Sequence, residues 1–193
     1  MSFVARLLPV AALLLAAACT GAQSPAPAAT ASPTASAVAA ATPAVTEGPY
    51  FKAGSPERTV LYETGMAGTR LVLTGRVLTA TCQPVTGAVL DFWQADAGGT
   101  YDNSGYRLRG HQTVGADGTF RLETVIPGLY PGRTEHIHVK VQAPGKPVLT
   151  TQLFFPGVAS NAGDSIFDPA LLITLTDSGD GGKAGAYDFY VAG

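Results

Sequence analysis

Two histidines one residue apart, His136 and His138, follow Tyr130 by six and eight residues in the run Gly-Leu-Tyr-Pro-Gly-Arg-Thr-Glu-His-Ile-His, residues 128–138. Only three histidines occur in 193 residues, so most of the chain's imidazole is spent here. Imidazole nitrogen suits zinc, copper and iron, whereas a tyrosine phenolate is a hard anionic donor that tilts the choice toward a high-valent ion such as ferric iron. If residues 136–141 form a strand, its two-residue period puts His136 and His138 on one face and Ile137, Val139 and Val141 on the other. One face then packs into a core while the other aims two imidazoles at a common point. The same pattern fits a half-buried strand whose polar face meets water, or a zinc or copper site on the histidines alone.

The elements that must carry these residues are short runs broken by Gly and Pro. They are residues 71–78, 88–94, 120–125, 136–142, 150–155, 171–176 and 186–191. No stretch shows a sustained helical period with caps. The expected fold is all-β, an antiparallel β-sandwich of two sheets with long loops and few or no helices.

Further motifs surround the tyrosine-histidine run. Upstream stand Leu-Asp-Phe-Trp-Gln-Ala-Asp-Ala-Gly-Gly-Thr-Tyr, ending at Tyr101, then Leu-Arg-Gly-His-Gln-Thr at 108–113 and Gly-Thr-Phe-Arg-Leu-Glu-Thr-Val-Ile-Pro-Gly at 118–128. With a Pro-Gly-x-Tyr-Pro-Gly-Arg turn and His-x-His three residues after its arginine, the chain resembles the intradiol ring-cleavage dioxygenases, the family of protocatechuate and catechol dioxygenases. The resemblance runs from Thr46-Glu-Gly-Pro-Tyr50 to Tyr187-Asp-Phe-Tyr190. The helical dimerisation segment that catechol dioxygenases carry before their sandwich has no counterpart, which makes the chain more like the protocatechuate type or compact secreted members.

What this resemblance implies is specific. Tyr101, Tyr130, His136 and His138 match the ligands of one ferric ion (Fe³⁺), with hydroxide completing the shell; two phenolates and hydroxide balance its charge, and the metal is what ionises phenols whose ordinary pKa is ~10. Tyr106 rivals Tyr101 from the same Gly-rich loop, but Tyr101 stands where the Trp-Gln-Ala-Asp motif puts it. His111 is read as a non-ligand on a strand. Arg133 matches an arginine that stabilises negative charge on the substrate, Gln152 a glutamine near the iron-bound oxygen, and Tyr130 the tyrosinate that leaves to accept a catechol proton. Thr46, Gly48 and Pro49 resemble a segment that closes over the substrate. The implied reaction is cleavage of a catechol by O₂ to a cis,cis-muconate. A non-catalytic reading stands beside it: residues 75–128, with Gln83-Pro-Val-Thr-Gly-Ala88, also resemble transthyretin-like and carboxypeptidase-regulatory β-sandwich modules.

The first 45 residues read differently. Residues 1–18 have one cation, Arg6, and then an apolar stretch to Ala18, too short for a mature bilayer span and patterned as an export signal. Cys19 follows three alanines as the lipidated cysteine of bacterial lipoproteins follows small residues, although Ala16 stands where a larger aliphatic residue is usual. Residues 20–45 are almost wholly Ala, Pro, Thr and Ser, without charge, so 19–45 is expected to be a disordered tether with a reach on the order of 80 Å at ~3.1 Å per residue. Residues 46–193 are left for one domain with a real core. These features point to an extracytoplasmic protein, anchored to the cell envelope through Cys19 or otherwise secreted. With Cys19 lipidated, Cys82 has no disulfide partner; unmodified, a Cys19–Cys82 bridge is open. A net charge of −2, with scattered cations, gives no basic stripe and argues against nucleic acid as a partner. The number of subunits is not legible.

Overall fold

A computed structural model describes residues 38–191. The expected export signal at 1–18, Cys19 and the tether up to residue 37 lie outside the described residues. Nine strands follow in order: β1 (Arg70–Thr79), β2 (Val89–Gln94), β3 (Arg109–Thr113), β4 (Thr119–Val125), β5 (His136–Gln142), β6 (Leu149–Phe154), β7 (Thr174–Asp177), β8 (Lys183–Ala186) and β9 (Phe189–Val191). Among the described residues helical structure is limited to two 3₁₀ turns, Ala159–Gly163 and Pro169–Leu171.

The strands form two sheets, one ordered β4-β1-β8-β7 with β9 also on β1, the other ordered β3-β2-β5-β6. Alternation decides what each strand buries. Leu71 and Leu73 of β1, Leu90 and Phe92 of β2, Phe120 and Leu122 of β4, and Ile137, Val139 and Val141 of β5 make one core. Each fully buried Leu, Val, Ile or Phe contributes roughly 1.5–3 kcal/mol by leaving water, and this sets the register of β5. Its odd-numbered residues are held inward, so His136 and His138 must point to the other face.

Several expectations need refinement. The expected all-β sandwich of two sheets stands; within it the pairing is mixed, because β8 and β9 run parallel to β1, one after the other along the same edge. The strand Arg109–Thr113 agrees with the reading of His111 as a strand residue, although Arg-Gly-His-Gln-Thr has no apolar alternation and the segment is not among the periodic runs; its pairing with β2 is made by backbone. Residues 169–171 form a 3₁₀ turn, and Tyr187 and Asp188 interrupt the last expected strand.

The tether boundary at residue 45 also lies too late. Ala39 N–H donates to the Ala80 carbonyl at 2.8 Å, Thr42 N–H to the Tyr190 carbonyl at 2.9 Å, and Val45 N–H to the Thr150 carbonyl at 3.0 Å. Tyr190 N–H donates in return to the Thr42 hydroxyl at 2.8 Å, and Thr42 is buried. Residues with no hydrophobic signal are thus fixed through backbone hydrogen bonds.

Candidate metal centre and substrate cleft

The face of β5 opposite the core is not open to water. His136 and His138 are 4% and 3% exposed, so the half-solvated strand is excluded. Trp93 of β2 pairs with His138 and stacks on its ring, with centroids 4.7 Å apart and planes 9° from parallel. The segment after residue 45 covers the same ring: a Cβ on Gly48 would lie 3.4 Å from His138 Cε1. Gln152, opposite His138 on β6, donates to the Thr46 carbonyl at 2.9 Å and ties that segment down. Thr46 and Gly48 thus close over the site from within the same chain.

Three donor atoms converge. His136 Nε2 and His138 Nε2 are 3.1 Å apart, and the Tyr101 hydroxyl lies 3.2 Å from the first and 3.1 Å from the second. His136 Nδ1 is 2.6 Å from the Thr134 carbonyl, which can only accept, so that nitrogen carries the proton and Nε2 presents a lone pair. His138 Nδ1 is buried with no hydrogen-bond partner. A proton on Nδ1 is stranded and leaves the Tyr101 hydroxyl as the one donor for two imidazole lone pairs, while a proton on Nε2 leaves the buried Nδ1 lone pair without a donor; a cation at the centre of the three takes up the lone pairs of the cluster together. At 3.1–3.2 Å from one another, the three atoms are close enough to serve one ion together. Burial first, then the nearby Arg133 charge, lowers His136 to about 4; burial first, then His136, Arg133 and Arg109, holds His138 well below its ordinary range. Both imidazoles are therefore neutral at neutral pH, as ligands must be. Burial raises the Tyr101 phenol, so it ionises only if a cation compensates.

Tyr130, the fourth expected ligand, stands at the side of this cluster. Its ring centroid is 5.9 Å from that of Tyr101, and its hydroxyl is 2.7 Å from the Tyr50 hydroxyl. Tyr50 stacks on Tyr101 with centroids 4.4 Å apart, completing a wall of three tyrosines. Two glycines make this proximity possible. A Cβ on Gly99 would sit 2.1 Å from the Leu129 carbonyl, and one on Gly128 would sit 2.3 Å from the Ala97 carbonyl, so only Gly lets the Tyr101 loop and the Tyr130 loop touch.

The remaining sequence candidates separate cleanly. The Tyr106 hydroxyl donates to the Ala53 carbonyl at 2.9 Å, and Lys52 lies over its ring, so it is engaged away from the histidines. His111 is on β3 with Nδ1 at 2.8 Å from the Ser55 carbonyl. Arg133 donates from Nε to Asp164 at 2.9 Å and from Nη2 to the Gln152 side-chain oxygen at 2.6 Å. Burial pulls the Asp164 carboxyl up, but the amides of Thr134 and Ile166 and the Arg133 guanidinium outweigh it and leave it ionised below its usual range.

Two residues with roles here carried no local signal. Asp164 fixes Arg133 from 31 positions away in sequence. Arg109, 2% exposed, donates to the Tyr50 carbonyl at 2.7 Å and through two nitrogens to the Asp102 carbonyl at 3.2 and 3.0 Å, holding the backbone beside both Tyr50 and Tyr101. Among the described residues no three His, Cys, Asp or Glu side chains meet to hold a metal ion; the cluster becomes a candidate for one only when phenols are counted as donors.

A cleft of about 460 Å³ opens beside Tyr130 and Arg133, lined also by Leu129, Pro131, Ser160, Gly163 and Asp164. A smaller hollow of about 210 Å³ meets it at Tyr130 and Pro131 and reaches Tyr50 and Tyr101.

A family model described as Dioxygenase matches residues 46–193. The chain belongs to the intradiol ring-cleavage dioxygenase family. Among solved structures, the dioxygenase domain of a dioxygenase carbohydrate-binding protein fusion from the cellulolytic bacterium Streptomyces sp. SirexAA-E is 55% identical, covering 79% of this chain and 99% of that one with a TM-score of 0.77. An intradiol ring-cleavage dioxygenase from Tetranychus urticae is 27% identical, covering 79% and 95%, with a TM-score of 0.72. Among curated relatives, chlorocatechol 1,2-dioxygenase of Rhodococcus opacus is 29% identical over 146 residues, covering 60% of this chain and 57% of that protein. The chain spans little more than half the length of the curated relatives it matches. Family membership implies non-haem iron and goes against the transthyretin-like binding module.

Proposed function

We propose that this protein is a non-haem ferric dioxygenase that opens a catechol-type ring between its two hydroxyl-bearing carbons, taking up both atoms of O₂ to give a cis,cis-muconate-type diacid. The observation that carries the reading is the convergence of His136 Nε2, His138 Nε2 and the Tyr101 hydroxyl within 3.2 Å of one another, in a chain of this family. Tyr101, Tyr130, His136 and His138 would hold Fe³⁺. Bound ferric iron supplies the electron demand that makes a catechol dianion reactive toward O₂, without an external reductant.

The chain's own residues do the rest. Tyr130 would take a proton from the catechol at its phenolic oxygen, and the Tyr50 hydroxyl, 2.7 Å away, would hold that oxygen in place by hydrogen bonding. Arg133, fixed between Asp164 and Gln152, keeps its guanidinium beside the cleft, where it would stabilise the anionic catecholate and the negative charge that passes from the ring to the adding oxygen. Thr46 and Gly48, held by Gln152, keep bulk water from the His138 side.

The leader-like residues 1–18, the cysteine after three alanines and the uncharged stretch behind it support an extracytoplasmic protein, lipid-anchored at Cys19 to the bacterial cell envelope or otherwise secreted. Its substrate would then be a free aromatic met outside the cell. Oxygen uptake by the iron-loaded protein with catechol, protocatechuate, hydroxyquinol and caffeate tests the reaction. Uptake with at least one, lost in His138→Ala, supports it; no uptake with any by a protein that also binds no iron would overturn it.

A further inference from the structure

The cleft beside Tyr130 is larger than the dihydroxy edge of a catechol needs, and its walls specify what the rest of the substrate is. Among the described residues that line it, Arg133 is the one cation, and its charge is already matched by Asp164 at 2.9 Å. Arg133 also gives Nη2 to Gln152. The other cations of this end of the molecule are engaged as well: Arg107 with Asp96, Lys140 with Glu47, and Lys52 on the carbonyls of Ser104 and Gly105. Arg109, though without a carboxylate in contact, is 2% exposed and faces backbone carbonyls. A ring-borne carboxylate entering the cleft therefore finds no cation but Arg133, which it must share with the Asp164 carboxylate beside it.

The lining is otherwise small or apolar. Leu129 is a large hydrophobic residue left 55% exposed at the cleft, beside Pro131. A Cβ on Gly132 or Gly163 would touch nothing within 4 Å, so the space over both glycines is open. A volume of about 460 Å³ lies in the range that encloses drug-sized ligands.

We infer that the cleft selects catechols carrying an uncharged, apolar ring substituent, which lies along Leu129 and over Gly163, and that it discriminates against carboxylated catechols. This rests on the ring-cleavage reading and narrows its substrate class. Contact with Leu129 strengthens binding by removing apolar surface from water, while a carboxylate would gain no such contact and would lie beside the Asp164 anion, competing with it for Arg133.

The experiment compares three probes on the iron-loaded full chain: catechol, a catechol with a propyl group para to one hydroxyl, and protocatechuate. Anaerobic titration of the visible band gives each Kd, and oxygen uptake gives kcat/KM. The propyl compound should bind at least ~10-fold more tightly than protocatechuate, since its alkyl group gains apolar contact with Leu129 while the carboxylate is placed beside Asp164, and a tenfold change needs only about 1.4 kcal/mol. Gly163→Phe, which places a side chain in the cleft lining where a Cβ meets no atom within 4 Å, should lower the propylcatechol-to-catechol ratio of kcat/KM by about 10-fold. Protocatechuate binding as tightly as propylcatechol, or a ratio unmoved by Gly163→Phe, overturns the inference while leaving ring cleavage standing. Failure of all three probes to shift the band or consume oxygen sinks both.

Discussion

Replacing Arg133 by Leu separates its two roles, because the structure gives each a size. The side chain is 15% exposed and its partner Asp164 only 2%, so the pair lies between a surface ion pair, worth ~0–1 kcal/mol, and a buried one, whose breaking costs ~3–5 kcal/mol. Asp164 keeps the amide donors of Thr134 at 2.8 Å and Ile166 at 2.9 Å after the substitution. A loss of about 2 kcal/mol follows, which for a domain of this size lowers Tm by ~4–8 °C. None of the converging donors is touched, so bound iron should stay near one per chain. Turnover should fall at least ~10-fold and up to 10²–10³-fold, as for other preorganised charge-stabilising donors. Metal analysis, a thermal melt and oxygen uptake on the same preparation give the three numbers. Arg133→Lys should recover part of the rate by keeping the charge. Full iron with unchanged turnover in Arg133→Leu would refute the catalytic role and leave only the ion pair.

Four other outcomes follow. Thr42→Ala removes the acceptor for Tyr190 N–H, and at ~1–3 kcal/mol for an orphaned donor it should lower Tm measurably, against the near-zero effect expected of a disordered tether. In the iron-free protein, His136 at about 4 lies below its unfolded value near 6.5, so the unfolded chain binds the extra proton first. Stability should then fall as pH drops below ~6.5, with about 3 kcal/mol lost through His136 by pH ~4 and more through His138, which is also held well below its ordinary range; a urea titration flat over that window would contradict the burial account. Arg109→Gln should loosen both tyrosine loops and broaden the visible band of the iron form, with iron still bound; an unchanged spectrum would limit Arg109 to general packing. Cys19→Ser should move the protein from membrane to soluble fractions with ring cleavage intact, and a wild type already soluble and free of lipid ends the anchor proposal.

The sequence was most informative where chemistry and strand period coincide. His136 and His138 share a face because Ile137, Val139 and Val141 are pulled into the core, and that alternation is visible in the residues themselves. The Gly-rich loops could be read as turns, but not that Gly99 and Gly128 are the contact that brings Tyr101 to Tyr130. Residues 39–45 looked disordered because composition records side chains, and their order comes from backbone amides meeting Ala80, Thr150 and Tyr190. Tyr50, Arg109 and Asp164 act across 80, 59 and 31 positions respectively, distances at which spacing carries no signal. The parallel run of β8 and β9 along β1 was hidden for the same reason, since it pairs the first strand with the last two.

The central claim, one ferric ion held by tyrosine and histidine, is tested most directly by the visible spectrum of the iron-loaded protein and of its tyrosine variants. Phenolate-to-Fe³⁺ charge transfer should colour the protein red to burgundy, and anaerobic catechol should move the band to longer wavelength. Tyr101→Phe and Tyr130→Phe should each alter the band, and His136→Ala or His138→Ala should abolish it with the iron. Tyr106→Phe and His111→Ala should leave it nearly as it was, because both side chains are hydrogen-bonded elsewhere. A colourless protein after exposure to ferric iron, or a colour indifferent to Tyr101→Phe and lost with Tyr106→Phe, would contradict the assigned centre.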